Sequence, residues 1–416
     1  ATVAANATGN LTVAASSAAA GSLADTVTLT LTSKATVTGL NDAALGLLDV
    51  QVTGAVYDYA VSAVTNAPLA FGNVRQGATV ANRTLTFGNT TVTDANYQDA
   101  LLVATTANNA KLTATGATIL AGATGNLTVA ISTATAGSLA DTLAVSQTSK
   151  AAAANLLDKD LGSLNVQVTG AVYDLANATV GATLALGNVR TAATGQINVA
   201  NTEITSAAYQ DSLAVAASSS NAKLTVGTVA DLLAGTNANL TVTAATAGDL
   251  GANVSLALTS KSIAVGLGDE SLTGKTVAVT GVAYDYAKAV LASTTLALGN
   301  VRTGAADTLA VANEVITSAT YQDGLLVAAT SGNGNLALTN PAKIAAGLTG
   351  NVGVKANLAG SLDATVALAL TSDANGISGL TNLGLTGQSF AVTGAAYDYA
   401  VSAVTNAPLA FGNVRK

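Results

Sequence analysis

The chain has 416 residues and a formal net charge of −7; half of its residues are hydrophobic, 9% are charged, 3% are aromatic, and His, Cys, Met and Trp are absent. Without His or Cys there is no ordinary general base near neutral pH, no imidazole or thiolate metal ligand, no thiol nucleophile and no disulfide. The 16 basic residues are thinly spread, unlike the clustered Lys and Arg of a nucleic-acid surface, and no apolar run approaches the roughly 18–20 residues of a membrane span.

The elements recur along the chain. GNVR stands at 72–75, 187–190, 299–302 and 412–415, and YQD begins at Tyr97, Tyr209 and Tyr321. NLTV or its variant NVGV opens at Asn10, Asn126, Asn239 and Asn351, and residues 57–75 and 397–415 are identical. The period is near 113 residues, too long for a solenoid repeat and the size of a small domain. Residues 1–60 are expected to be the C-terminal half of an immunoglobulin-like repeat. Residues 66–175, 181–287 and 293–400 are expected to be full repeats, and 401–416 to hold the first strand of another. The chain opens inside a repeat without a recognisable signal peptide, so it is expected to be part of a longer polypeptide.

Within 66–175 apolar and polar residues alternate, and Gly, Asn or Ser clusters bound each run. The pattern predicts strands over 67–74, 79–87, 97–105, 110–114, 125–132, 138–148 and 163–174, with a helical turn over 151–162. Seven short strands imply an all-β fold: a tandem array of immunoglobulin-like seven-stranded β-sandwich domains, with a closed barrel as the alternative. The connectors 60–67, 176–182 and 287–294 are short, and favour a rod with limited bending.

LALGNVR at 184–190 and 296–302, followed by YQD, NLTV, AGS and a closing VTGxxYD such as 168–174, resembles bacterial surface-protein repeats of the choice-of-anchor D immunoglobulin-like type. The resemblance covers nearly the whole chain and implies an extracellular, non-enzymatic sandwich in a large surface protein. The fourth NLTV copy departs to NVGV, and no anchor segment is present.

Two motifs hold all ten tyrosines: Tyr57, Tyr59, Tyr173, Tyr284, Tyr286, Tyr397 and Tyr399 in YDY or YDL, and Tyr97, Tyr209 and Tyr321 in YQD. Each ring brings bulk to a core of small residues, either pinning strand ends within a domain or packing across a joint onto the next domain. Arg75, Arg190, Arg302 and Arg415 end the GNVR motifs, and Asp99, Asp211 and Asp323 end YQD. They are candidates for an Arg–carboxylate pair within a domain or across a joint, against solvated side chains. Because they recur once per repeat, either role is architectural. Lys34, Lys150 and Lys261 recur in TSK, where Asp373 stands in the fourth copy; exposed lysines are the default and side-chain crosslinks the alternative. One aspartate per joint (Asp58, Asp174, Asp285, Asp398) is thin support for calcium, which takes six to eight oxygens. Eight Asn-X-Ser/Thr sequons are no more than this composition gives by chance.

No catalytic residue, metal site or cofactor is expected. The chain reads as a structural repeat protein of an extracellular fibre or cell-surface layer, with an adhesin stalk as the alternative. The expected partners are further copies of the chain or its own continuation, with surface glycans or cell-surface ligands as further candidates. A carbohydrate-binding array would want exposed aromatic platforms, and Trp is absent.

Overall fold

The computed structural model describes residues 1–405 and 412–416. Among these the protein is all β, in tandem immunoglobulin-like sandwiches with three single-turn 3₁₀ segments and no α-helix. Of the first strand expected within 401–416, residues 406–411 lie outside the described residues; Gly412–Arg415 has no regular secondary structure. The chain divides into two compact units. One comprises Ala1–Asn177 with Glu203–Ser212 and Ser260–Glu270; the other comprises Ala178–Thr202, Leu213–Thr259 and Ser271–Lys416.

In the first unit, Asp25–Ser33 pairs antiparallel with Ala43–Val52, and Gly21–Ser22 pairs with Ala55–Val56. A complete sandwich follows. One sheet has the order Ser62–Thr65, Arg83–Asn89, Thr124–Ile131, Leu112–Ala114. The other has the order Ala117–Ile119, Ala100–Thr106, Asp141–Lys150, Lys159–Tyr173, and the last strand also pairs with Gly137–Ser138 and Leu69–Arg75. Inward residues of both sheets, including Leu85, Phe87, Leu101, Leu127, Leu143 and Val145, are fully buried and form one core. In the second unit, the equivalent core contains Val311, Leu325, Val352, Val366 and Phe390.

All seven expected strands over 66–175 are present, with shifted ends. The 97–105 segment differs most: Ala95–Tyr97 is a 3₁₀ turn, and its strand starts only at Ala100. Asp94 caps this turn, its side chain accepting the Asn96 amide, while the equivalent turns Ala207–Tyr209 and Ala319–Tyr321 form without a side-chain cap. The connectors also differ from expectation. Ser62–Thr65, Ala178–Val180 and Ala289–Leu291 are strands paired to the next sheet. Little free linker therefore remains. The helical turn expected over 151–162 is absent. Asn155 takes a left-handed φ of 72°, and Lys159 and Asp160 already belong to the following strand.

The first and last strands of each full repeat lie parallel, a long-range pairing that joins the two motifs of the sequence. Gly72 of GNVR pairs with Gly170 of VTG, and Arg75 with Tyr173, across a bulge that skips Phe71. The same register holds for Gly187 with Gly281 and Gly299 with Gly394. Gly170 has a φ of 143°, and a Cβ there would sit 2.5 Å from the Gly72 carbonyl oxygen. Only glycine admits this approach. Gly170→Ala is therefore expected to lower the unfolding free energy by about 2 kcal/mol, measured by chemical denaturation; an unchanged midpoint would mean the bulge tolerates a side chain.

Candidate functional site

The recurrent residues gather where one sequence repeat meets the next. The YDY aspartate lies beside the YQD glutamine of the following repeat in a parallel bridge: Asp58 with Gln98, Asp174 with Gln210, Asp285 with Gln322. The Asp174 amide donates to the Tyr209 carbonyl at 2.8 Å, and the Asp211 amide to the Asp174 carbonyl at 3.1 Å. The tyrosines before these aspartates face one another. Ring centroids are 5.8 Å apart for Tyr57–Tyr97, 5.6 Å for Tyr173–Tyr209 and 6.0 Å for Tyr284–Tyr321, all tilted. Such pairs add to the area they bury.

Beneath the rings lies a polar network. The Asp211 and Asp323 carboxylates are completely buried, and Asp99 nearly so. Each accepts a hydroxyl from the serine of TSK or TSD: Ser149 to Asp99 at 2.8 Å, Ser260 to Asp211 at 2.8 Å and Ser372 to Asp323 at 2.6 Å. The same hydroxyls accept the connector amides of Ala60, Ala176 and Ala287. A buried asparagine holds the turn from the other side. Asn89 and Asn313 each donate to the carbonyl of their YQD aspartate at 2.9 Å, and accept from Gln98 and Gln322.

Two arginines reach from the preceding repeat into this network. Arg75 Nη1 lies 2.7 Å from Asp211 Oδ2, as a close ion pair off the hydrogen-bond line. Arg190 Nη1 donates to Asp323 Oδ1 at 2.8 Å. Their second nitrogens clasp a loop of the same neighbouring repeat. Arg75 Nη2 donates to the Gly268 carbonyl at 2.7 Å, and Arg190 Nη2 to the Thr381 carbonyl at 3.2 Å. The asparagine of GNVR completes the clasp: Asn73 donates to Val265 and Asn188 to Ser378, both at 3.0 Å. GNVR thus offers three donors to one carboxylate and two carbonyls. Tyr286 lies under the Arg190 guanidinium at 4.5 Å. The first full repeat has Leu175 at that position.

The remaining candidates are placed differently. Arg302 is exposed, donates to the Asp398 carbonyl at 2.7 Å and stacks on Tyr399. Tyr59 stacks under Lys159, and Tyr397 pairs with Arg302 in the sheet register. Arg415 is exposed. Among the described residues no three acidic side chains gather to hold a metal.

The loops that follow TSK, two of them unclasped, share a closure. Lys34 pairs with Asp42, Lys150 with Asp158 and Lys261 with Asp269, eight residues on. In the fourth copy Asn382 accepts the Ala374 amide, and Asp373 pairs with Lys343 instead. The Lys150 ammonium and then the Ala151 amide hold the Asp158 carboxyl below the ordinary aspartate range, and Lys261 and Ser262 do the same for Asp269.

No family model matches the sequence, and no curated protein matches it. Among solved structures, mouse protocadherin-24 EC1–3 is similar over 80% of this chain and 98% of its own, with 11% identity and a TM-score of 0.31. A marsupial T cell receptor covers 78% of this chain and 99% of its own, with 10% identity and a TM-score of 0.26. The D00–D0 domain of intimin covers 51% and 99%, with 11% identity and a TM-score of 0.24.

Arg190→Met leaves Asp323 buried without its cation. It is expected to cost about 3 kcal/mol in chemical denaturation, whereas exposed Arg302→Met costs under about 1 kcal/mol; equal losses would contradict the geometry. Because the folded Asp158 and Asp269 pKa values are depressed, the loop closures contribute stability above the unfolded value of about 3.9. That contribution is lost as pH falls through the folded values. The Ala151 amide resonance should hold its position down to about pH 5 and shift only on acidification below the ordinary aspartate range; a midpoint above that range would contradict the pairing.

Proposed function

We propose that this chain is a non-enzymatic structural repeat protein of an extracellular fibre or cell-surface layer, whose sandwiches are the repeats 66–175, 181–287 and 293–400. One observation carries the reading: the recurrent charged chemistry is spent where repeats meet. Arg75 and Arg190 are consumed by Asp211 and Asp323, and Asn73 and Asn188 by loop carbonyls. A guanidinium held on both nitrogens is a positioning device, not a group free to meet substrate. The recurrent tyrosines, Tyr57, Tyr173 and Tyr284 against Tyr97, Tyr209 and Tyr321, serve the same contact.

The likeness of LALGNVR and VTGxxYD to choice-of-anchor D repeats supports a place on the bacterial cell exterior. The scarcity of charge supports lateral packing, because it weakens repulsion between neighbours. Association then proceeds through sheet edges or end to end.

Electron microscopy of the protein drawn from its native source without denaturant tests this reading. Filaments or sheets with a regular domain-scale repeat are expected. Isolated thin threads ending in a distinct head would instead identify the stalk of a large adhesin.

A further inference from the structure

The pairing of first and last strands decides how a repeat meets tension. In each full repeat the first strand lies parallel to the closing strand: Leu69–Arg75 beside Val168–Tyr173, Thr183–Arg190 beside Ala278–Tyr284 and Thr295–Arg302 beside Ala391–Tyr397. The ladder runs on one step further, where the amides of Gln76, Thr191 and Thr303 donate to the carbonyls of Tyr173, Tyr284 and Tyr397. A pull along the polypeptide enters a repeat at the start of the first strand and leaves at the end of the closing strand. In a parallel pair those two points stand at opposite ends of the ladder. The strands part only by sliding, and their slanted bonds are loaded together. An antiparallel pair joined by a hairpin would open one bond at a time from its free end.

The clasp lies at the far end of that first strand. Drawn backward, the first strand of the middle repeat would pull Asn188 and Arg190 away from the repeat that follows. Arg190 holds Asp323 at 2.8 Å and the Thr381 carbonyl at 3.2 Å, and Asn188 holds the Ser378 carbonyl at 3.0 Å. A slide of one residue is about 3.3 Å, more than any of these bonds survives. The same slide leaves Asp323 completely buried without its cation, a state of high energy. The preceding joint is built alike, with Arg75 on Asp211 and Gly268 and Asn73 on Val265.

We infer that the clasp is a load-bearing tie. Under tension, force leaves the first strand by two routes side by side. One crosses the parallel ladder into the closing strand. The other runs through Asn188 and Arg190 straight into the next repeat. The ladder cannot slide until the clasp has broken, so resistance to a pull is set at the joint and not in the apolar core behind it. The further function is mechanical: the chain is a tether, and GNVR transmits force between its repeats. This deepens the structural reading above and rests on it.

Force-clamp stretching of single full chains held by their two termini tests the inference. Steps of about 35 nm mark full repeats, and the waiting time to the first of them gives a rupture rate. Forced rupture follows the unfolding barrier and not the equilibrium stability. Arg190→Met is expected to raise that rate about tenfold or more, and Asn188→Ala about threefold. Leu240 is fully buried in the same repeat, away from the clasp. Leu240→Ala is expected to cost more in chemical denaturation than Asn188→Ala. It should nonetheless raise the rupture rate less than about twofold, because the core is still closed when the ladder begins to slide. If Arg190→Met folds poorly, the contrast between Asn188→Ala and Leu240→Ala decides alone. Wild-type rupture rates in the clasp variants would overturn the tie, and so would acceleration of all variants in proportion to their chemical destabilisation. Microscopy decides separately whether native material is fibrous: filaments with an unloaded clasp would sink only the tie, and a loaded clasp without filaments only the fibre.

Discussion

The structure depends on a guanidinium that must be satisfied by a neighbour. Arg190 ends the first strand of its repeat, but its partners Asp323 and Thr381 belong to the next. A completely buried carboxylate with one serine hydroxyl is incompletely compensated, so Asp323 needs that cation as much as the cation needs it. An apolar joint of Ala and Val would bury little area and specify no register. Charge in a nearly uncharged chain specifies it, because each wrong register would leave an ion unpaired.

The parallel bulge makes this reach possible. Gly187 bends the first strand beside Gly281, so that Asn188 and Arg190 leave its end together. The closing strand delivers Tyr284 and then Asp285 to meet Tyr321 and Gln322 of the next repeat. The connector that follows begins a new strand, Ala289–Leu291, within three residues. Sheet, joint and sheet are thus one continuous run of hydrogen-bonded backbone, which suits a protein that has no disulfides to stiffen it.

Much of this was legible in the sequence. Alternation located the seven main strands, and recurrence singled out Tyr97, Asp99, Arg75 and Arg190. The misses have physical reasons. The acceptors at Val265, Gly268, Ser378 and Thr381 are backbone carbonyls and carry no side-chain signature. Ser149, Ser260 and Ser372 are lost among many serines, although their fixed place in TSK and TSD was a usable signal. Pairing of first and last strands is non-local, so the meaning of GNVR and VTG as one bulge was invisible to a window along the chain. The short strand in each connector carries no signature of its own, because three or four residues make too brief a pattern.

A double-mutant cycle between Arg190 and Asp323, using Arg190→Met and Asp323→Asn, tests the central claim most directly. The account predicts a coupling of about 2 kcal/mol or more in unfolding free energy, because the second substitution removes a charge that the first has already stranded. Additivity within about 0.5 kcal/mol would contradict it, and would mean that the repeats are joined by their strands and tyrosines alone.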